Sequence, residues 1–202
     1  MHFFVIIPLI QTIGLVGIFL FVFAESGLFF GFFLPGDSLL FSAGLLAASG
    51  YLNIWYLVVG CTIFAILGDA VGYWFGRKVG YKIFFKEESF FFSKKNIDRT
   101  KIFFEKYGKK AILFARFVPI VRTFTPILAG VGKMNYKSFV FYNASGGILW
   151  SVAVLLLGYF LGGLLSGLQD YIIFLAILII VISFLPMLRF FKKIGKSKYL
   201  SV

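Results

Sequence analysis

Long uncharged stretches alternate with short charged blocks along the chain, and the lengths of the stretches predict its elements. Residues 3–24 carry no charge. That is enough for one helix to cross a hydrocarbon core of about 30 Å, and Glu25 is expected to end it. Residues 26–50 read SGLFFGFFLPGDSLLFSAGLLAASG, two apolar arms of about ten residues each around Leu34-Pro35-Gly36-Asp37. Each arm is too short to span. Pro-Gly punctuates the chain, and Asp37 with Ser38 is placed to cap the following arm by accepting an otherwise unpaired backbone N–H. The pattern predicts a re-entrant helical hairpin.

Residues 52–76 are the next predicted span. Gly68, Gly72, Gly76 and then Gly80 recur every four residues, a ridge on one helix face that lets another backbone come close. Asp69 adjoins the ridge and must face protein or water rather than lipid; it reads equally as a polar contact to a neighbouring helix and as a proton site. Residues 81–110 interleave phenylalanines (Phe84, Phe85, Phe90, Phe91, Phe92, Phe103, Phe104) with lysines. This predicts an amphipathic segment on the cytoplasmic membrane surface, with a solvated connector as the plainer reading.

Residues 111–132 put Arg116 and Arg122 inside an apolar run. An arginine at membrane depth costs roughly 2.5–3.5 kcal/mol on insertion scales unless it is paired or hydrated. On one continuous helix, side chains six residues apart point about 120° away from each other. Pro119 between them and Pro126 beyond predict a break, which lets both guanidinium groups face one cavity. A broken helix at membrane depth is tolerated only where protein or water covers its backbone groups, so 111–132 reads as a second re-entrant hairpin. Lys133 and Lys137 return the chain to the cytoplasmic side, and two further uncharged spans, 138–168 and 171–188, turn at Gln169-Asp170. The fold class is therefore all-α: a polytopic membrane helical bundle with two re-entrant helical hairpins of opposite orientation, an arrangement expected of inverted-repeat transporters.

Composition agrees with this pattern. The chain is 60% hydrophobic and 21% aromatic with mean hydropathy +0.97, against roughly 45–50% apolar residues in soluble domains. Its 202 residues suit a single integral membrane domain, 1–202. The N-terminus MHFFVII has neither the basic region nor the cleavage site of a secretory signal, so the first apolar segment is expected to remain as an anchor. A lone Cys61 excludes an intrachain disulfide and a cysteine metal cluster.

The net charge of +12 changes the picture only through its placement. From Arg77 to Lys110 there are 11 basic and 4 acidic residues, and from Arg189 onward 5 basic and no acidic ones. Such blocks beside apolar spans mark cytoplasmic segments, here 77–110 and the basic tail 189–202, and parity then puts the N-terminus on the same side. The partners expected are membrane lipids with anionic headgroups, and protons; nucleic acid is not expected, and a homo-oligomer is compatible with the pattern.

Glu25, Asp37, Arg116 and Arg122 sum to zero charge. One reading makes them ion pairs and caps that hold the hairpins together. The other makes Glu25 and Asp37 proton carriers and Arg116 and Arg122 the grip on an anionic headgroup, since arginine matches phosphate in planar bidentate contacts. Asn143 reads as a hydrogen bond between helices, and Tyr73, Trp74 and Trp150 as packing residues or interface anchors. Gly195-Lys196-Ser197 ends like a phosphate-binding loop, but Phe190 stands where that loop needs glycine. His2 is the sole histidine, so no histidine base or nucleophile is available within the membrane. No cofactor, metal site or catalytic residue is expected, and the chain reads as a non-enzyme.

These residues resemble the DedA membrane proteins, related to the VTT-domain (SNARE-associated Golgi) proteins. The resemblance lies in Glu25, FLPGDS at 33–38, GDAVGYWFGRKVG at 68–80 and FARFVPIVRTFTPILAGVGKMNYKSFVFYNASGGILW at 114–150, so it covers most of 25–150. It implies a bacterial inner-membrane protein with two re-entrant hairpins, dependent on the proton gradient and active in lipid-carrier recycling or phospholipid translocation. The family's acidic pair falls on Glu25 and Asp37, and its arginine pair on Arg116 and Arg122. The expectation that follows is a proton-coupled transporter, flippase or scramblase of a phosphate-bearing lipid, undecaprenyl phosphate or a phospholipid. A small-solute or ion transporter, a lipid phosphatase and a structural membrane scaffold are the alternatives.

Overall fold

The computed structural model describes residues 3–28, 34–80, 108–164, 171, 174–179 and 181–182. Every regular element among them is helical: α1 (Phe3–Gly27), α2 (Gly36–Ala48), α3 (Ile54–Phe75) continued by a π-helical turn (Gly76–Gly80), a 3₁₀ turn (Gly108–Lys110), α4 (Ala111–Ala115), α5 (Pro119–Val131) and α6 (Tyr136–Leu164). The amphipathic segment expected at 81–110 lies outside the described residues except for its last three, as do the tip of the first expected hairpin at 29–33, half of the span 171–188 and the basic tail.

Among the described residues, two helices, Ile54–Val79 and Tyr136–Leu164, are long and apolar enough to cross a membrane. On the first, Val59, Ile63, Leu67, Val71 and Trp74 form an exposed apolar stripe at helical spacing, whereas Glu25, Asp69, Arg116, Arg122 and Asn143 are all buried. Charge inside and hydrocarbon outside reverses the usual distribution in water and suits a lipid solvent.

The chain packs as two compact units. The first comprises Met1–Phe32 and Trp55–Ala153. Its helices meet on the glycine ridge of α3. A Cβ on Gly68 would stand 2.7 Å from the Phe23 carbonyl oxygen of α1, and Gly76 lies directly against the Ile127 carbonyl of α5. Only hydrogen side chains leave room for such backbone approach. The π-helical turn begins at Gly76, where the α5 backbone presses on it. Tyr73, fully buried, stacks on Phe139 of α6 with ring centroids 4.6 Å apart, and Ile112 and Ala129 join the same core.

Glu25 does not end α1 as expected; the helix continues to Gly27 and Glu25 is buried in its last turn. A carboxylate that meets a cation there does not need water, so it has no reason to terminate the helix.

The second unit comprises Phe33–Ile54 and Val154–Val202. Here α2 packs on the C-terminal half of α6, with Gly44 against the Leu155 carbonyl and Gly158 against the Phe41 carbonyl. Ser42 Oγ donates to the Ala176 carbonyl at 3.3 Å. At about 1.5 Å per residue, the 13 residues of α2 rise too little to cross a membrane. The N-cap of α2 is Pro35, whose carbonyl accepts from Leu39 N–H at 3.0 Å. Asp37 is therefore not the cap the sequence suggested. It is the second residue of the helix, exposed, where its charge complements the positive end of the helix dipole.

Candidate functional site

The site in the first unit begins with the way α4 stops. Val118, restricted by the proline that follows it, adopts an extended conformation (φ −122°, ψ 102°). Pro119, whose fixed φ suits the first helical position, then opens α5. Arg116 consequently caps α4 while Arg122 closes the first turn of α5, its N–H bonded to the Val118 carbonyl at 2.8 Å. Two helices in place of one release the arginines from the divergence that a continuous helix would impose.

Arg122 Nη2 donates to Glu25 Oε1 on α1, an ion pair whose side chains are 7% and 1% exposed. The Trp150 ring of α6 lies with its centroid 5.0 Å from the Arg122 Cζ. The indole face attracts the cation electrostatically and covers one face of the guanidinium.

Arg116 is held by a different set. Its Nη2 donates to Asp69 Oδ2 of α3 at 2.5 Å and to Asn143 Oδ1 of α6 at 2.7 Å. Asn143 Nδ2 donates in turn to the Ile66 carbonyl at 3.3 Å, which fixes the orientation of its amide. A Cβ on Gly147 would stand 3.3 Å from Arg116 Nη2, so the guanidinium occupies the space that a side chain would need. Arg116 Nε and Nη1 and Asp69 Oδ1 are buried with no hydrogen-bond partner among the described residues.

The expected site residues thus separate. Glu25, Arg116, Arg122, Asp69 and Asn143 are all buried in the first unit, whereas Asp37 belongs to the second. Arg116 finds its carboxylate in Asp69, so Glu25 and Asp69 balance the two arginines within one unit. Of the two readings of Trp150, packing residue or interface anchor, packing holds: it is 2% exposed and stands on Arg122. The signal for it is its spacing of seven residues from Asn143, which puts both on one face of α6. The same helix interface carries a hydroxyl pair, Thr62 Oγ1 and Ser151 Oγ, 2.5 Å apart. Among the described residues, no three of His, Cys, Asp and Glu gather as metal ligands would.

Residues 34–160 match the VTT domain family. The chain is 47% identical over 171 residues to Protein DedA of Escherichia coli strain K12, covering 84% of this chain and 78% of that protein. It is 45% identical over 175 residues to an uncharacterized membrane protein of Mycobacterium tuberculosis, covering 85% and 76%. It is 37% identical over 145 residues to Inner membrane protein YqjA of Escherichia coli strain K12, covering 72% and 66%. No solved structure matches it significantly.

Proposed function

The chain belongs to the VTT-domain family of DedA membrane proteins, and from that membership we propose that it moves a phosphate-bearing lipid between membrane leaflets in a cycle coupled to protons. The observation that carries the reading is a pair of buried arginines flanking a helix break, each neutralised by a buried carboxylate. Such a centre is neutral at rest and turns cationic when a carboxylate takes a proton. Protonation of Glu25 would leave Arg122 in search of an anion, and a lipid phosphate supplies one in the planar bidentate geometry that arginine prefers. Release of the headgroup returns Arg122 to Glu25 and expels the proton. Asp37 is the second proton carrier in this reading, and Asp69 and Asn143 hold Arg116 in place.

In the same proposal the segments around α2 and α4–α5 are re-entrant hairpins entering from opposite faces of one membrane domain. The shortness of α2 and the break at Arg116–Val118 support this. The N-terminus and basic tail face the cytoplasm, and the chain works as a transporter rather than an enzyme. Labelling of Lys94→Cys or Lys193→Cys by an impermeant reagent added outside intact cells would overturn that orientation.

A structural reading also has a specific observation behind it: both arginines already have carboxylate partners, so the charges suffice to hold four helices together. A leaflet-transfer assay in liposomes separates the two, with undecaprenyl phosphate, glycerophospholipids and a neutral lipid, with and without a pH gradient. Transport selective for phosphate lipids and steeper with the gradient supports the proposal. Equal, gradient-independent leakage of all lipids supports a scaffold, and release of inorganic phosphate supports hydrolysis.

A further inference from the structure

Away from the buried pairs, the end of α3 and the start of α6 build a second cationic feature. Arg77, exposed on the π-helical turn, has its Cζ 6.0 Å from the Tyr73 ring centroid and 5.9 Å from that of Trp74. Its Nη1 donates to Tyr73 Oη at 2.7 Å, and Tyr73 Oη donates to the Met134 carbonyl in the turn that joins α5 to α6. Trp74 and Tyr136, 44% and 37% exposed, lie with ring centroids 5.3 Å apart. The Gly130 backbone approaches Tyr73 and Arg77 so closely that the α5–α6 turn is pinned beside this guanidinium. That turn contributes exposed Lys133, in a left-handed conformation (φ 52°), the start of α6 contributes exposed Lys137, and the π-helical turn contributes exposed Lys78. No acidic side chain lies between Ala70 and Gly80 or between Gly108 and Leu164.

We infer that Arg77, Trp74, Tyr136 and Lys133 form a docking site for the headgroup of an anionic phospholipid at the membrane boundary, separate from the buried arginine pairs. Three features point to this occupant. Among the described residues Arg77 is held at one nitrogen and against two rings, and a guanidinium offers five N–H donors, so the fork is oriented by these contacts toward a phosphate outside. The exposed Trp74 and Tyr136 rings are amphipathic shelves of the kind that sit at headgroup level, suited to the glycerol region and the first methylenes. The surrounding lysines give charge complementarity to an anionic headgroup but not to a zwitterionic one. The site makes no use of Arg116, Arg122 or Glu25, so it stands or falls apart from the transport proposal.

The test uses the full chain in liposomes containing phosphatidylglycerol, or phosphatidylcholine in a parallel arm, each with a photoreactive diazirine near the glycerol end of one acyl chain. Adducts are mapped by mass spectrometry. Phosphatidylglycerol is expected to label Trp74 and Tyr136, with labelling falling about fivefold for each cation removed in Arg77→Gln and Arg77→Gln/Lys133→Gln. Phosphatidylcholine labelling should be unchanged by either variant. Because Arg77→Gln also removes the bond to Tyr73, Lys133→Gln/Lys137→Gln is the companion variant that leaves the aromatic cluster intact, and it too should lose phosphatidylglycerol adducts selectively. Equal labelling by both lipids, an equal fall for both, or adducts that persist in all variants would overturn the site.

Discussion

The Arg122 guanidinium carbon lies 5.0 Å from the centroid of the buried Trp150 ring, so the cation that pairs with Glu25 also rests on an aromatic face. Trp150→Phe keeps a π face, whereas Trp150→Leu fills part of the space without one. A desolvated cation–π contact is worth about 2 kcal/mol. Trp150→Leu should therefore weaken phosphate-lipid binding by more than tenfold, and Trp150→Phe by less. Titration of both variants with a phosphate lipid checks this, and equal affinities in the two would remove the aromatic role.

The carboxylates of the two units should behave differently under mutation. Asp69→Asn leaves the Arg116 charge buried without its counter-ion, and breaking a buried pair costs roughly 3–5 kcal/mol. The double variant Asp69→Asn/Arg116→Gln should recover part of that loss, because it removes the stranded charge as well. Asp37→Asn gives up an exposed charge beside the positive end of a helix dipole, an interaction of about 0.3–1 kcal/mol. Unfolding in detergent measures all three, and an Asp37→Asn variant as unstable as Asp69→Asn would contradict the placement of these groups.

Local signals in the sequence locate the break and the charges. A proline restricts its predecessor wherever it occurs, so Val118 and Pro119 announce the end of α4, and a charge in an apolar run is conspicuous in Glu25, Arg116 and Arg122. Partnership is not local. Arg116 and Asp69 are 47 residues apart and meet because α3 and α4 pack, which no periodicity in either segment encodes. Asp37 reads as a cap because aspartate beside a turn often is one, but Pro35 takes that position and shifts Asp37 into the helix. Trp150 reads as a packing residue or an anchor, and nothing in its own segment chooses between the two. Only its register with Asn143 on α6, together with the position of α5, turns it toward Arg122.

The glycine ridge supplies a graded steric test. Gly76 lies against the Ile127 backbone, which cannot rotate away, so Gly76→Ala must push α5 off α3 and should cost about 1–3 kcal/mol or more. Gly60 faces only the end of the Phe19 ring, which has rotamers to move into, and Gly60→Ala should cost less. Gly14 has open space within 4 Å of where a methyl group would stand, so Gly14→Ala should be neutral. Thermal unfolding of the three in one detergent should follow that order.

Arg122→Lys separates the two readings of the buried pair. If Arg122 serves only to neutralise Glu25, lysine preserves the charge and the protein should keep both its stability and its lipid affinity. Arg122→Ala/Glu25→Gln should then be far more stable than Arg122→Ala alone, since it no longer buries an unmatched carboxylate. If Arg122 grips a phosphate, lysine offers a point charge without the planar fork, and affinity should fall by roughly 1–3 kcal/mol while the melting temperature changes little. The proposed transport cycle requires the second pattern, because the same guanidinium must pass from Glu25 to the headgroup and back. It further requires that Glu25→Gln, though less stable for stranding the Arg122 charge, still insert and lose the dependence of transport on the pH gradient, the amide having no proton to exchange. Lipid affinity, melting temperature and gradient-driven transfer measured on these four variants decide the matter. Unchanged affinity in Arg122→Lys, with stability restored in the double variant, would leave Arg122 as a strut between α1 and α5 and nothing more.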